Sequence, residues 1–329
     1  MELTAAQRDR ACGVLLATAA GDALGAGYEF GPPLPDDAPV TMRGGGGCNW
    51  APGEWTDDTA MAIAIAEVAA TGADLRGVDA QDQIVARWVG WSRTAADVGN
   101  QTRRVLGQVL GGGVSGAAAA LAASADLHER TGRTAGNGSL MRTAPVALAY
   151  LGDPDGLAEA ALAVSALTHF DRSAGEACVL WCLAIRHAVL TGELDARAGL
   201  EYLPARAVDV WAARLVEAEK SRPSDFSSNG WVVEALQAAW CAIVTAANSL
   251  PGHGREGGAS PADHLKLSLE NAVRGGRDAD TVAAIAGGLV GAAFGASAVP
   301  ADWRSAVHGW PGCNATDLIR LGCEIATCG

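Results

Sequence analysis

The chain is short of positive charge: 24 Lys and Arg stand against 37 Asp and Glu in 329 residues, a formal net charge of −13. A field of that sign repels the phosphates of nucleic acids, so sequence-independent nucleic-acid binding is excluded from the expected functions. It also makes a phosphorylated small substrate awkward, unless helix N-termini, local cations or bound metal overcome it at the site. Clusters of β-branched residues are scarce and alanine runs frequent. Ala loses least on entering a helix, so the propensity sum favours an all-α protein. No stretch of sequence reads as a membrane span, and the N-terminus lacks the basic flank and unbroken apolar core of a signal peptide. The eight cysteines form no CxxC pair and no disulfide-framework spacing. Cys178 and Cys182 fall one turn apart in an apolar helical stretch without adjacent histidines. The expectation is therefore buried free thiols rather than a zinc site or a disulfide, and with them a reducing, cytoplasmic compartment.

Apolar residues make up 49% of the chain and charged residues 19%, a balance that permits a substantial core. The length suits one large domain or two. Nothing reads as a linker, so residues 1–329 are expected to form one domain. A first helix is expected through Ala11 to Ala20, ended by Gly21, followed by a long Gly- and Pro-rich loop from Gly25 to Gly53. Loops of that length inside compact domains usually carry function. Thr56 is placed as the N-cap of a helix over Asp57 to Ala70, with another helix near Asp82 to Arg93. After the glycines Gly111 to Gly113 come an Ala-rich helix over Ser115 to Ala123, a turn at Gly136-Asn137-Gly138 and a helix from about Leu140. The pattern then predicts helices over Asp155 to Leu167, Ser173 to Leu190, Ala205 to Lys220 and Val232 to Ala247. A polar loop, Gly252 to Ser260, precedes helices over Asp263 to Val273, Thr281 to Phe294 and Thr316 to Ala326.

Two places crowd acids and threonines at a helix start: Thr56-Asp57-Asp58-Thr59, and Asp278-Ala279-Asp280-Thr281 more than two hundred positions later. They offer carboxylate and hydroxyl oxygens without sulfur or imidazole, which is a hard-cation ligand set. The competing reading is helix capping, since Asp and Thr are favoured in a first turn. Were the two clusters to converge, like-charge repulsion would demand a cation.

These segments, taken with Gly21-Asp22-Ala23-Leu24-Gly25, Tyr28-Glu29-Phe30, Gly136-Asn137-Gly138-Ser139-Leu140-Met141-Arg142 and Thr168-His169, resemble the ADP-ribosylglycohydrolase family in their order along most of the chain. The resemblance implies an all-helical single domain with a cleft holding two divalent cations, Mg2+ or Mn2+. It implies Thr56, Asp57, Asp58, Asp278, Asp280 and Thr281 as metal ligands, and Glu29 as the general acid or base over them. Thr134, Ala135, Gly136, Asn137 and Gly138 match the loop that wraps the pyrophosphate and adjacent ribose, with His169 as a diphosphate contact. Ala135 stands where some members carry an aromatic residue, and Phe170 is a candidate substitute. Asp22 reads as a capping or supporting acid, and Asp97 and Asn100 as residues that could line the cleft. Arg142 and Arg277 are cations that could pair with the acids or with phosphate.

The reading that follows is a metal-dependent hydrolase that cleaves at the ribose anomeric carbon and releases ADP-ribose. Its partners would be an ADP-ribosylated protein or small ADP-ribose derivative, with arginine linkage favoured over serine linkage or O-acetyl-ADP-ribose, and a monomeric chain is expected. A two-metal phosphoester hydrolase and a non-catalytic ADP-ribose-binding member are the alternatives.

Overall fold

The computed structural model describes residues 2–111, 116–251 and 258–328. Among them are fourteen α-helices: α1 (Ala5–Gly25), α2 (Asp57–Ala69), α3 (Val78–Ser92), α4 (Asn100–Gly111), α5 (Ala117–Thr131), α6 (Ala144–Ala149), α7 (Pro154–Ala166), α8 (Arg172–Thr191), α9 (Ala205–Ala218), α10 (Val232–Ser249), α11 (Pro261–Arg274), α12 (Ala279–Phe294), α13 (Ala301–Ala306) and α14 (Ala315–Cys328). The strands among the described residues, β1 (His308–Gly309) and β2 (Cys313–Asn314), form one two-residue antiparallel pair. The all-α expectation is met.

The centre of the molecule is the antiparallel crossing of α1 and α12. Small residues recur every fourth position where they meet: Gly13, Ala17 and Gly21 face Gly291, Gly287 and Ala283 in reverse order, and Gly25 then meets the backbone of Asp280. A Cβ on Gly21 would stand 2.1 Å from the Ala283 carbonyl oxygen, and one on Gly287 2.1 Å from that of Ala17. The two backbones touch because the facing ridges alternate glycine with nothing larger than a methyl group from Gly13 to Gly21. This corrects the expected end of α1: Gly21 does not terminate the helix but lets it continue past α12 to Gly25. With α1 buried from Ala11 to Gly25 and α12 from Ala279 to Ala293, one hydrophobic core joins all the principal elements into a single domain.

Two helical stretches, Ala5–Tyr28 and Arg172–Thr191, do reach the length and mean hydropathy of a membrane span, contrary to the sequence reading. Their apolar windows are 100% and 78% buried inside the molecule, so the core uses that surface. Other corrections are local. The helix expected from Leu140 starts at Ala144, because Asn137–Ser139 first form a 3-10 turn. Helices α4 and α13 were not anticipated; the first opens on a polar run, Asn100 to Arg104, that conceals its apolar face of Val105, Leu106 and Val109. Residues 112–115 and 252–257 lie outside the described residues, and with them the glycines at 112 and 113, the expected helix start at 115 and most of the polar loop from 252.

The cysteine reading is half right. Cys178 and Cys182 are buried free thiols in α8, but Cys12 of α1 and Cys323 of α14 form a disulfide. Their separation of 311 residues leaves no spacing signal; the pairing exists because α14 packs along α1. The argument for a reducing compartment loses its basis at this pair.

Candidate active site

The site grows out of the α1–α12 crossing. A Cβ on Gly25 would lie 2.3 Å from the Cα of Asp280, so the last turn of α1 rests on the first turn of α12. One turn earlier, the fully buried Asp22 reaches the start of α2, where it accepts from the Thr56 and Thr59 amides (2.8 and 2.9 Å) and from the Thr59 hydroxyl (2.7 Å). Asp22, not Thr56, therefore satisfies the open N–H groups at that helix start. Thr56 is the N-cap residue by position, but its hydroxyl turns instead to Asp58 Oδ2 at 3.0 Å.

The two acid clusters do converge. Carboxylate oxygens of Asp22, Asp58 and Asp280 lie within 4.8 Å of one another, as do those of Glu29, Asp278 and Asp280. Asp280 belongs to both groups, so the arrangement is two adjoining oxygen-lined positions sharing one acid. Thr281 Oγ1 approaches Asp58 Oδ2 at 3.4 Å, while Asp58 Oδ1 is buried without a hydrogen-bond partner. An orphaned carboxylate oxygen inside a group of acids is costly unless a cation takes it.

The proton affinities carry the same imprint. Burial first, then the like charges around them, push Asp58 and Asp280 well above the usual carboxylate range. Asp57 rises to about 7 through burial and the charges of Asp97 and Asp22. Burial lifts Asp22 to about 6 against the hydrogen bonds that it accepts. Glu29 is raised to about 8 by burial and by Asp278, Asp97, Asp57 and Asp22. These values belong to the metal-free chain, and an oxygen-only donor set with one orphaned atom fits hard divalent cations.

Glu29 comes from the long loop after α1. Its backbone is pinned on the far side, where the Phe30 amide donates to the Arg277 carbonyl at 2.5 Å and the Arg277 amide to the Gly31 carbonyl at 2.7 Å. Phe30 and Arg277 both take positive φ, 59° and 61°, a conformation that non-glycine residues adopt rarely. The loop carrying Glu29 and the turn before Asp278 thus form one unit.

A cleft of about 400 Å3 opens above, lined by Glu29, Asp57, Asp278 and Thr281 on the acidic side and by Gly136, Asn137, Gly138 and His169 opposite. Asn137 joins the halves: its Nδ2 donates to Asp278 Oδ2 at 2.7 Å and to the Asn229 carbonyl at 2.9 Å. Thr134 does not line the cleft; its hydroxyl pairs with His128 Nδ1. Ala135 holds the loop through its carbonyl, which accepts from the Val232 amide. Asp57, expected among the ligands, accepts from the Gly99 amide at 3.1 Å and stands in the cleft wall. Asp97 and Asn100 line the cleft as the sequence suggested. Neither arginine beside the motifs serves the acids: Arg142 is buried against Thr168 and Trp88, and Arg277 donates to the carbonyls of Ser224 and Gly275.

Three residues went unnoticed in the sequence. Asn229, buried in an Asn-Gly turn, accepts from the Asp278 amide and donates to the Gly276 carbonyl. Gln101 ties the Thr134 and Thr168 carbonyls together from the start of α4. Trp231 lies beside Gly136 through a backbone bridge and is 40% exposed; its ring stands outside the cleft lining, next to Gly230, which belongs to it. Phe170, the candidate substitute for an aromatic at position 135, packs on His128 and lies outside the cleft lining. The only legible cue for Asn229 was its Asn-Gly dipeptide.

Comparison with known proteins agrees with this architecture. The family model described as ADP-ribosylglycohydrolase matches residues 3–326. The chain is 32% identical over 305 residues to ADP-ribosylarginine hydrolase Tri1 of Pseudomonas putida (strain GB-1), covering 90% of this chain and 73% of the relative. It is 30% identical over 304 residues to the ADP-ribosyl-[dinitrogen reductase] glycohydrolase of Rhodospirillum rubrum, covering 90% of both. A solved structure described as an ADP-ribosylglycohydrolase-related protein complex superposes with a TM-score of 0.70 at 30% identity, over 98% of each chain. With the family matched across nearly its whole length, this chain belongs to the ADP-ribosylglycohydrolase family and is a glycohydrolase.

Proposed function

We propose that the enzyme removes ADP-ribose from arginine side chains in a reaction that depends on two divalent cations. The observation that carries this reading is the pair of adjoining carboxylate groups sharing Asp280, with Asp58 of the first group keeping its Oδ1 buried and without a hydrogen-bond partner. Asp22, Asp58 and Asp280 would hold one cation and Glu29, Asp278 and Asp280 would border the other, with the Thr56 and Thr281 hydroxyls as further oxygen donors. Bound there, the cations would supply charge compensation and polarise the ribose hydroxyls.

The chain's own residues divide the remaining work. Asn137, held by Asp278 and by the Asn229 carbonyl, orients the glycine loop across from the acids. The Gly136 and Gly138 backbones leave room for a diphosphate to approach. Water adds at the anomeric carbon as the bond to the guanidine nitrogen breaks, through an oxocarbenium-like state. Glu29 takes the proton from that water and returns it to the departing guanidine. A carboxylate can serve both halves of such a transfer, accepting the proton as base and giving it back as acid. The choice of arginine is supported by the excess of acids in the cleft lining, where Glu29, Asp57, Asp97 and Asp278 outnumber the one cation, Arg103, and by the substrate named for the Pseudomonas relative.

The test is release of free ADP-ribose from arginine-linked, serine-linked and O-acetyl substrates, each with magnesium, manganese or chelator. Release from the arginine substrate that chelator stops, and that Asp58→Ala and Asp280→Ala both lose, is the expected result. AMP as product would replace this reading with phosphoester hydrolysis, and release unaffected by chelator would remove the metals from it.

A further inference from the structure

Arg142 is the least explained residue in the protein. It is 0% exposed, and its hydrogen-bond partners among the described residues are Thr168 Oγ1 at 2.7 Å and Met61 Sδ at 3.6 Å. Its Nε has no partner, and the guanidinium lies over the Trp88 ring at 3.9 Å. A buried cation without a carboxylate is expensive for the fold, and burial brings its proton affinity down to about 9. Stability gives no reason to keep it there.

We infer that Arg142, acting through Thr168, fixes the ring proton of His169 on Nε2 and so makes His169 a permanent hydrogen-bond donor to the cleft. The argument is one of counting protons. Arginine can only donate, so Thr168 Oγ1 accepts from Arg142 Nη2. The same oxygen lies 2.7 Å from His169 Nδ1; its second lone pair could accept there too, but its own buried hydrogen would then have no acceptor among the described residues, so the arrangement that uses every hydrogen sends it to that nitrogen. Nδ1 is then an acceptor, and the neutral ring carries its proton on Nε2. A doubly protonated ring would set hydrogens of Arg142, Thr168 and His169 around a single hydroxyl oxygen. Burial and the Arg142 charge act in the same direction, holding the imidazole well below its usual proton affinity.

Nε2 is placed where a donor has use. It borders the glycine loop, since a Cβ on Gly138 would stand 3.1 Å from it and one on Gly136 3.4 Å, and His169 lines the cleft. Gln101 Nε2, donating to the Thr168 carbonyl at 2.8 Å, fixes the backbone of the relay. Arg142 is thus a positioning residue, two side chains removed from any ligand. Only the identity of the ligand rests on the function proposed above; the tautomer does not.

The experiment is nitrogen NMR of the full-length, magnesium-loaded enzyme labelled at its six histidines, with His169→Asn to assign the signal. The wild type and Thr168→Ser are expected to show a pyridine-like Nδ1 and a protonated, pyrrole-like Nε2. Thr168→Val and Arg142→Met are expected to show a mixture of tautomers, with ADP-ribose binding roughly ten-fold weaker in Thr168→Val and unchanged in Thr168→Ser, the scale of one hydrogen bond to a charged group. Should Arg142→Met not fold, the threonine pair alone decides. A wild-type ring protonated on Nδ1, or a Thr168→Val ring that keeps its proton on Nε2, would overturn the relay. The expected spectra in a protein that binds no ADP-ribose would uphold the relay and instead overturn the proposed function.

Discussion

At the scale of single residues, the site is built by side chains whose neighbours give them unusual tasks. Asp22 was legible as a supporting acid, and capping α2 is what it does; its place among the carboxylates around Asp280 required the fold. Asp57 and Asp58 are adjacent in sequence and look equivalent there. They differ because successive residues on a helix point about 100° apart, sending Asp58 into the cluster and Asp57 to the wall beside Gly99. Glu29 offers the sharpest test at this scale. Glu29→Gln keeps the shape and removes the proton carrier, so kcat should fall roughly 10²- to 10⁴-fold with ADP-ribose affinity little changed. A fall in affinity with kcat intact would move Glu29 from chemistry to binding. Trp231→Ala should weaken ADP-ribose by about 1–3 kcal/mol if the exposed indole beside Gly136 stacks on the base, and Phe170→Ala should leave it unchanged. Titration calorimetry separates the two, and equal effects would refute the assignment.

Among the helices, α1 and α12 decide where the site can be. Periodicity located both, but the glycines in α1 read as a stop signal because, seen from one helix alone, glycine is a helix breaker. Facing a second small-residue ridge, the same glycines let two backbones meet and bring Asp22 and Gly25 against Asp280. Gly21→Ala would place a methyl group 2.1 Å from the Ala283 carbonyl and push the helices apart. The expected cost is about 3 kcal/mol, read from denaturant unfolding, together with weaker magnesium binding, since the cluster spans the same crossing. Unchanged stability would mean that the crossing tolerates spreading. The α6 start illustrates another limit: a Gly-rich turn was evident at residues 136–138, but the 3-10 form it takes over Asn137–Ser139 is held by contacts with Asn229 and Gly230 nearly a hundred residues away.

For the molecule as a whole, the buried acids should couple stability to pH and metal. Asp22, Asp57 and Glu29 hold protons more tightly when folded, to about 6, 7 and 8, than an unfolded chain does near about 4. The folded state then binds more protons, so without metal the stability must fall as pH rises from about 4 through 8. The metal-free enzyme is expected to melt at a higher temperature at pH 5.5 than at pH 8, with magnesium restoring the loss at pH 8 by mass action. A metal-free melting temperature that rises over this range would contradict the sign. The Cys12–Cys323 bond joins α1 to α14 across 311 residues. Replacing both cysteines with serine should lower stability by about 3 kcal/mol through the freer unfolded chain, measured in denaturant, and no change would show that packing alone fixes the two helices.

The sequence by itself determined the helical class, most helix positions and the residue types of the site, because propensity, periodicity and short motifs are local properties of the chain. It also carried the family resemblance, since the acids, the glycine loop and His169 keep their order along the chain. Only the tertiary structure decided that the two acid clusters meet through Asp280, that Asp22 stands with them, that Cys12 reaches Cys323, and that Arg142 lies behind His169. Each of these joins residues that are not neighbours in sequence, and the meeting of the acids in particular exists only where α1 and α12 pack backbone to backbone.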